Sequence, residues 1–347
     1  MNGGARGTRP THTSDGAERS AHRLEREREA VQDEGTETLL EIGGNRSRWA
    51  RHTKMLPFGS WDLGFGVWDL TESHFRDSAK PGPVPPGGSS PPLVPADETL
   101  DAISGHFRVF QLRRGHRFST DDVLTAWYGT TWAPSASTVL DLGSGIGSVG
   151  MIAAWRLPGS RVVTIEAQPE SVRLARKSVE YNGLSGRYEI REGDFRDRNA
   201  IGEAERFDLV LGSPPYFPRG SGIEGDHPQK VACRFELRGD IQDYVTAASC
   251  HLAAGGLFAC VFPEEQRARV EAAATSAGLV ILRRRPIVFR EGEAPLVTLF
   301  AMARRSDLPP AMQDRPWLEP ALVIRTADGD VHPEYAAVKV AIGFPPL

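Results

Sequence analysis

The stretch Val139-Leu140-Asp141-Leu142-Gly143-Ser144-Gly145-Ile146-Gly147 reads as a strand running into a glycine loop that opens a helix. Glycines at that junction let backbone approach a ligand where side chains would clash. A dinucleotide site uses the same device, so the loop alone does not choose a ligand. Three carboxylates narrow the choice. Asp141 ends the strand before the glycines, where it can pair, directly or through water, with a cationic amino-acid group. Glu166 ends the next strand, nineteen residues after Gly147, where a carboxylate can accept both hydroxyls of a ribose. Gly193-Asp194-Phe195 follows a third strand, its acid placed to accept from an adenine amine and its ring to pack on the base. Any one acid would be an ordinary cap or surface residue. Three at successive strand ends point to S-adenosylmethionine (SAM), with a nicotinamide cofactor as the alternative.

The second chemical stretch is Gly212-Ser213-Pro214-Pro215-Tyr216-Phe217, after a fourth strand. Two prolines hold a rigid loop at the carboxyl edge of a sheet, beside the SAM methyl. An aromatic amine or an amide has a delocalised lone pair and is a poor nucleophile until acceptors hold its hydrogens. The Ser213 hydroxyl and the Pro214 carbonyl offer two acceptors, and Tyr216 offers a face on which a base can stack. Methyl transfer then requires in-line positioning more than a strong base. The loop resembles the (Asn/Asp/Ser)-Pro-Pro-(Tyr/Phe) motif of amino methyltransferases, which makes Ser213, Pro214, Pro215 and Tyr216 the catalytic candidates.

Strands alternate with helices from about residue 98. Expected strands are Ser137–Leu142, Arg161–Glu166, Tyr188–Arg191, Phe207–Leu211 and Leu257–Phe262. Expected helices are Gly147–Leu157, Pro169–Asn182, stopped by Gly183, and Ile241–Leu252, which leads through Gly255-Gly256 into the fifth strand. This βαβ alternation predicts a parallel, doubly wound α/β sheet with its ligand at the carboxyl ends of the strands. Val280–Val288 and Ala294–Ala303 read as an antiparallel hairpin closing the sheet.

Residues 110–126, from Phe110 to Ala126, resemble a segment of one bacterial family, Q-x-x-x-G-x-R-F-S-x-D-x-x-L-x-A. That family comprises the tRNA adenine-N6 methyltransferases that modify valine tRNA in the anticodon loop, with their uncharacterised relatives. Arg234-Phe235-Glu236, Leu322-Val323-Ile324 and His332-Pro333-Glu334-Tyr335 are similar too. The match spans about residues 98–340. It implies a Rossmann-like class I methyltransferase fold, with a seven-stranded, mostly parallel sheet and an antiparallel C-terminal hairpin. It also implies that the turn from Arg117 to Asp121 lies over the SAM pocket. Arg117, Phe118 and Asp121 then join Asp141, Gly143, Gly145, Gly147, Glu166, Asp194 and Phe195 as cofactor-binding candidates. A structural reading stands beside this, with Phe118 in the core and Arg117 paired to Asp121. The family usually has Asn where this chain has Ser213, and serine here also occurs in cytosine-amine methyltransferases.

The function expected is methyl transfer from SAM to an exocyclic amine, adenine N6 in tRNA first. Methylation of a protein glutamine amide, as by release-factor methyltransferases, is one alternative. A non-catalytic SAM-binding scaffold is another, and the intact Ser-Pro-Pro-Tyr loop argues against it. A formal net charge of −4 excludes a cationic field over the whole protein but not a local basic face. Arg113, Arg114, Lys230, Arg283, Arg284 and Arg285 are the candidates for RNA contact. No apolar run approaches the length of a bilayer span, which argues against a membrane helix. Cys233, Cys250 and Cys260 lack metal-ligand or disulfide spacing, so no metal is expected and a reducing, cytoplasmic setting fits. Residues 1–95 read as a mixed-charge arm and a Pro/Gly-rich linker outside the catalytic domain of residues 96–347. Within the arm, Trp61 and Trp68 sit seven residues apart, as if on one helical face docked on the protein's own core.

Overall fold

The structure, a computed structural model, describes residues 94–197, 199–218, 228–314 and 316–346. The arm, most of the linker and the Trp61/Trp68 segment lie outside the described residues. The first elements are β1 (Glu98–Ser104) and β2 (Phe107–Leu112), an antiparallel pair separate from the main sheet. They lead to helix α1 (Thr120–Trp132). Next come β3 (Thr138–Leu142), α2 (Ser148–Arg156), β4 (Arg161–Glu166), α3 (Pro169–Tyr181) and β5 (Tyr188–Glu192). β6 (Phe207–Gly212), α4 (Pro228–Arg234), α5 (Ile241–His251), β7 (Leu252–Pro263) and α6 (Arg267–Ser276) follow. The chain closes with β8 (Leu279–Arg290), β9 (Val297–Arg304), β10 (Trp317–Leu318), β11 (Leu322–Arg325) and α7 (Pro333–Ala341).

The main sheet has the order β10-β8-β9-β7-β6-β3-β4-β5, with β11 also paired to β8. β3 to β7 run parallel, and β9 is antiparallel to both β7 and β8. The seven expected strands are therefore present, and β10 and β11 add two short parallel pieces along β8. The central parallel strands are covered on both faces, so they are mainly apolar, whereas β5 at the border is mostly charged. Alternation sorts their side chains between two cores. Val139, Val162, Leu209 and Ala259 face one layer, and Leu140, Val163, Val210 and Phe258 the other. Each fully buried Val, Leu or Phe among them contributes about 1.5–3 kcal/mol.

The chain passes from β3 outward through β4 to β5, then returns to place β6 on the other flank of β3. This reversal opens a crevice outside the carboxyl ends of β3 and β6. Leu142 is in register with Ile165 and Gly212, and Glu166 with Glu192, so four strand ends finish side by side. At the β5 edge, Arg161 pairs with Glu189 at 2.5 Å and Arg191 with Glu205 at 2.6 Å.

The β1–β2 ribbon is clamped to α3. The Phe110 N–H donates to Ser178 Oγ at 2.9 Å and the Arg108 N–H to Asn182 Oδ1 at 2.8 Å. Glu98, almost wholly buried, is paired with Arg173 and Lys177. At the other end of the chain, α7 buries Tyr335.

One expected turn is different. Gly255 and Gly256 lie inside β7, which starts directly after α5, at an irregularity in the β6–β7 register. Gly255 has φ +72°, and a Cβ on Gly256 would lie 2.9 Å from the Phe207 carbonyl oxygen. The glycines permit a bulge, not a turn.

Candidate active site

The loop after β3 has left-handed backbone at Gly143, Gly145 and Gly147, with φ of 61°, 55° and 84°. A Cβ on Gly143 would lie 2.1 Å from the Tyr244 hydroxyl, so glycine is required by space as well as by φ. Gly145 differs: a Cβ there would meet nothing within 4 Å. The Gly145 N–H instead donates to Glu166 Oε2 at 2.8 Å, while Glu166 Oε1 accepts from the Gln168 N–H at 2.7 Å. Asp141 Oδ2 accepts from the Gly150 N–H at 2.9 Å, which ties the end of β3 to α2. Burial pushes both the Asp141 and Glu166 carboxyls above the usual carboxylate range.

Asp194 follows β5. Arg196 grips its carboxyl, with Nη2–Oδ2 at 2.5 Å, and holds it below its ordinary value. The Phe195 ring meets Tyr244 edge-on at 4.6 Å. After β6, Ser213 and Pro215 are half-buried and Pro214 is buried. Tyr216 is fixed at three points. Its hydroxyl donates to Asp121 Oδ2 at 2.8 Å, its carbonyl accepts from Gln266 Nε2 at 3.1 Å, and its ring meets Phe262 edge-on at 5.7 Å. Phe217 is held by the segment that follows α4, with the Glu236 N–H donating to the Phe217 carbonyl at 2.8 Å. Arg269 anchors Glu236 in turn at 2.6 Å. The Arg234-Phe235-Glu236 motif thus braces the Pro-Pro-Tyr-Phe loop.

The turn before α1 arches over these loops. Gln111 Oε1 accepts from the Phe118 N–H at 2.8 Å, and Gln229 Oε1 accepts from the His116 N–H at 2.9 Å. Arg117 pairs with Asp101 at 3.0 Å and donates to Thr99 Oγ1 at 2.9 Å. The alternative Arg117–Asp121 pair does not form: Arg117 is paired with Asp101 and Asp121 accepts from Tyr216. Ser119 and Asp122 close the N-terminus of α1. Asp122 Oδ2 accepts from the Ser119 N–H at 3.0 Å and from Ser148 Oγ at 3.1 Å, joining α1 to α2.

These parts enclose one cleft of about 250 Å³. Arg117, Phe118, Asp121, Asp141, Gly143, Gly145, Glu166, Asp194 and Phe195 line it, as do Ser213, Pro214, Pro215 and Tyr216. Gly147 does not; it caps the N-terminus of α2, and a Cβ there would meet Met151 and Tyr188. Tyr244, His116, Asp122, Cys233, Arg238 and Phe289, none of them among the site residues expected from the sequence, also line the cleft. Of these only Asp122 had a local signal, the Ser-x-x-Asp spacing of a capping box. Although burial opposes its charge, the His116 imidazole is raised to about 9 by Cys233, Asp122 and Glu166. The Ser144 hydroxyl, also in the lining, is buried without a hydrogen-bond partner among the described residues.

Burial lifts the Asp121 carboxyl from 3.8 to about 6. A folded value above the unfolded one means that ionising Asp121 costs stability. Its contribution is fully present below about pH 4 and is lost as pH rises through about 6. Asp121→Asn should therefore be more stable than the parent at pH 8 by roughly 1–3 kcal/mol, with the gain disappearing near pH 4. Thermal melts between pH 4 and 8 check this. A difference that does not change with pH would show that Asp121 does not titrate in this window.

Residues 129–271 match the family model described as Methyltransferase small domain. The tRNA1(Val) (adenine(37)-N6)-methyltransferase of Porphyromonas gingivalis is 30% identical over 234 residues, covering 66% of this chain and 89% of that protein. The protein of the same name from Tolumonas auensis is 26% identical over 235 residues, covering 67% of this chain and 92% of its own. Among solved structures, a protein described as a predicted O-methyltransferase from Agrobacterium tumefaciens aligns with a TM-score of 0.49. It is 22% identical, and the alignment covers 65% of this chain and 98% of that one.

Proposed function

This chain belongs to the tRNA1(Val) (adenine(37)-N6)-methyltransferase family, and we propose that it transfers a methyl group from SAM to adenine N6 in a tRNA. The observation that carries the reading is the meeting of four strand ends. The glycine loop, Glu166, Asp194 and the Ser213–Tyr216 loop line the same cleft at the reversal of strand order.

The residues of the cleft fit SAM. Asp121, Asp122, Asp141, Glu166 and Asp194 line it beside His116, Arg117, Arg234 and Arg238, and of these acids only Asp194 forms an ion pair among the described residues. Burial already strains Asp141 and Glu166, so a ligand carrying positive charge offsets that cost. The partnerless Ser144 hydroxyl supplies one more polar group. Each Glu166 oxygen accepts a single backbone N–H, which leaves lone pairs for the ribose hydroxyls. Asp141 would face the cationic amino-acid end. Asp194 and Phe195 would take the adenine edge and ring, with Arg196 releasing part of its grip on Asp194.

When bound, SAM supplies an electrophilic methyl on a positively charged sulfur. Ser213 Oγ and the Pro214 carbonyl accept the two hydrogens of the target amine and draw its lone pair out of conjugation. Pro214 and Pro215 keep these acceptors rigid. Tyr216 receives the base on its ring, and the bond to Asp121 sets the ring's orientation. Arg117 and Phe118 close the cleft from above and limit access of water. The proton leaves only after the nitrogen has taken the methyl, so no strong base is required.

Incubation with labelled SAM and separate tRNA, rRNA and protein fractions tests the reading. Label is expected in tRNA, as N6-methyladenine. Label in protein alone would favour glutamine methylation, and label in none of them a scaffold. Glu166→Ala should weaken SAM binding by about 1–3 kcal/mol, as for a lost charged acceptor. Calorimetry giving the parent affinity would remove Glu166 from the ribose site.

A tRNA substrate supports a cytoplasmic location. No helix among the described residues is long and apolar enough to cross a membrane. We propose that residues 96–347 form the catalytic domain and that residues 1–95 are an arm and linker outside it, since the family resemblance begins at about residue 98.

A further inference from the structure

The arginine run Arg283-Arg284-Arg285 lies on β8, and alternation divides it between the two faces of the sheet. Arg284 reaches Glu271 of α6 at 3.4 Å on one face. On the other, the Arg283 guanidinium lies between two indoles, with Cζ 3.4 Å from the centroid of Trp132 and 4.5 Å from that of Trp317. Glu319 stands 3.5 Å from Arg283 and accepts from the Tyr128 hydroxyl at 2.7 Å. Arg285, two positions along, lies over Trp127 at 5.6 Å. It forms no ion pair among the described residues, and its Nε is buried without a hydrogen-bond partner.

This stacked group is unusually open. Trp317 is 60% exposed and Leu318 57% exposed, and Trp132 is exposed as well. Arg283 occupies one face of Trp317, so the exposure of that indole falls on its other face and its edges. A half-buried guanidinium without a carboxylate partner suits a phosphate, and an indole with a free face suits a base. The group also sits on a strand that reaches the cleft. β8 runs from Arg283 to Phe289, which lines the cleft, and six residues of strand cover about 20 Å. That is roughly six stacked nucleotides at about 3.4 Å each.

We infer that Arg283, Arg285, Trp132 and Trp317 form a second contact for the RNA, which takes a single-stranded segment flanking the target nucleotide. Trp317 receives a base, Arg285 a phosphate, and Arg283 holds the two indoles in position. The inference rests on the tRNA reading of the cleft and extends it to a surface outside the cleft.

The test uses the full chain and an unmodified valine tRNA transcript, with binding measured between 50 and 200 mM salt. Trp317→Ala should weaken binding by roughly 5- to 100-fold, the range for loss of one stacked base. Arg285→Ala should lower the salt-dependence slope by about one. Both variants should keep the parent's SAM affinity and melting temperature. If the parent binds and methylates the transcript and both variants bind it equally well, the surface is not an RNA contact. A parent dimer that Trp317→Ala dissociates, with RNA affinity unchanged, would assign the surface to a second protein chain and overturn the inference. A parent that neither binds nor methylates tRNA would instead overturn the tRNA reading, and this inference with it.

Discussion

Ser213→Ala should lower kcat by roughly 10- to 1000-fold and leave SAM affinity nearly unchanged. Ser213 follows directly on β6, lines the cleft and stands at the head of the rigid Pro214-Pro215 pair. Its hydroxyl is proposed to accept from the target amine, and that bond strengthens as the nitrogen loses conjugation. An interaction felt mainly in the transition state appears in kcat and not in ground-state binding. The magnitude is that of removing one positioned polar group from an enzyme site. Ser213→Asn is the sharper comparison, because asparagine is the residue the resemblance leads one to expect here. On an adenine amine, this variant should retain substantial activity. Complete loss with asparagine, together with parent activity on a cytosine- or glutamine-containing substrate, would defeat the adenine assignment.

Tyr216→Ala should act differently, raising KM for RNA as well as lowering kcat. Stacking contributes to ground-state binding, so loss of the ring should cost roughly 1–3 kcal/mol. Tyr216→Phe separates the ring from the hydroxyl. It removes only the 2.8 Å bond to Asp121 and keeps the edge-on contact with Phe262. The phenylalanine variant should therefore have a KM close to that of the parent. Equal impairment of the two variants would mean that the Asp121 bond matters and the ring face does not, and stacking would be discarded.

The central parallel strands were legible because burial on both faces leaves them mainly apolar, with Gly or Pro near most of their ends. Arg161–Glu166 was read to the residue, and Phe207–Leu211 to within one position. The acids at their ends were legible for the same reason, since strand ends fix where a side chain emerges. β1 was hidden. Its polar residues Glu98, Thr99 and Asp101 suggest a loop until their partners appear, and Arg173 and Lys177 are more than seventy positions away. α1 was read only as a motif, because it is buried almost all round and so lacks a polar stripe. The missed lining residues share one cause. Tyr244 reaches the cleft by packing α5 against a glycine loop a hundred residues earlier, and no local pattern records that contact. For Arg117 the sequence offered the nearer acid, Asp121, as one possible ion-pair partner, while the acid in reach, Asp101, is on a ribbon the sequence did not reveal.

The charges on β5 and its neighbour have a further consequence for how copies of this molecule meet. Among the described residues β5 has no strand beyond it, so its outer N–H and C=O groups form a template for another chain. Glu189, Arg191 and Glu192 occupy most of this five-residue strand, and Arg161 and Glu205 lock the first two in place. A second β5 laid against it would have to strip water from these ion pairs and break the bonds that hold them. The ion-pair lattice at this border thus acts as a guard against aggregation, keeping a sheet rich in valine and leucine from extending into its neighbours.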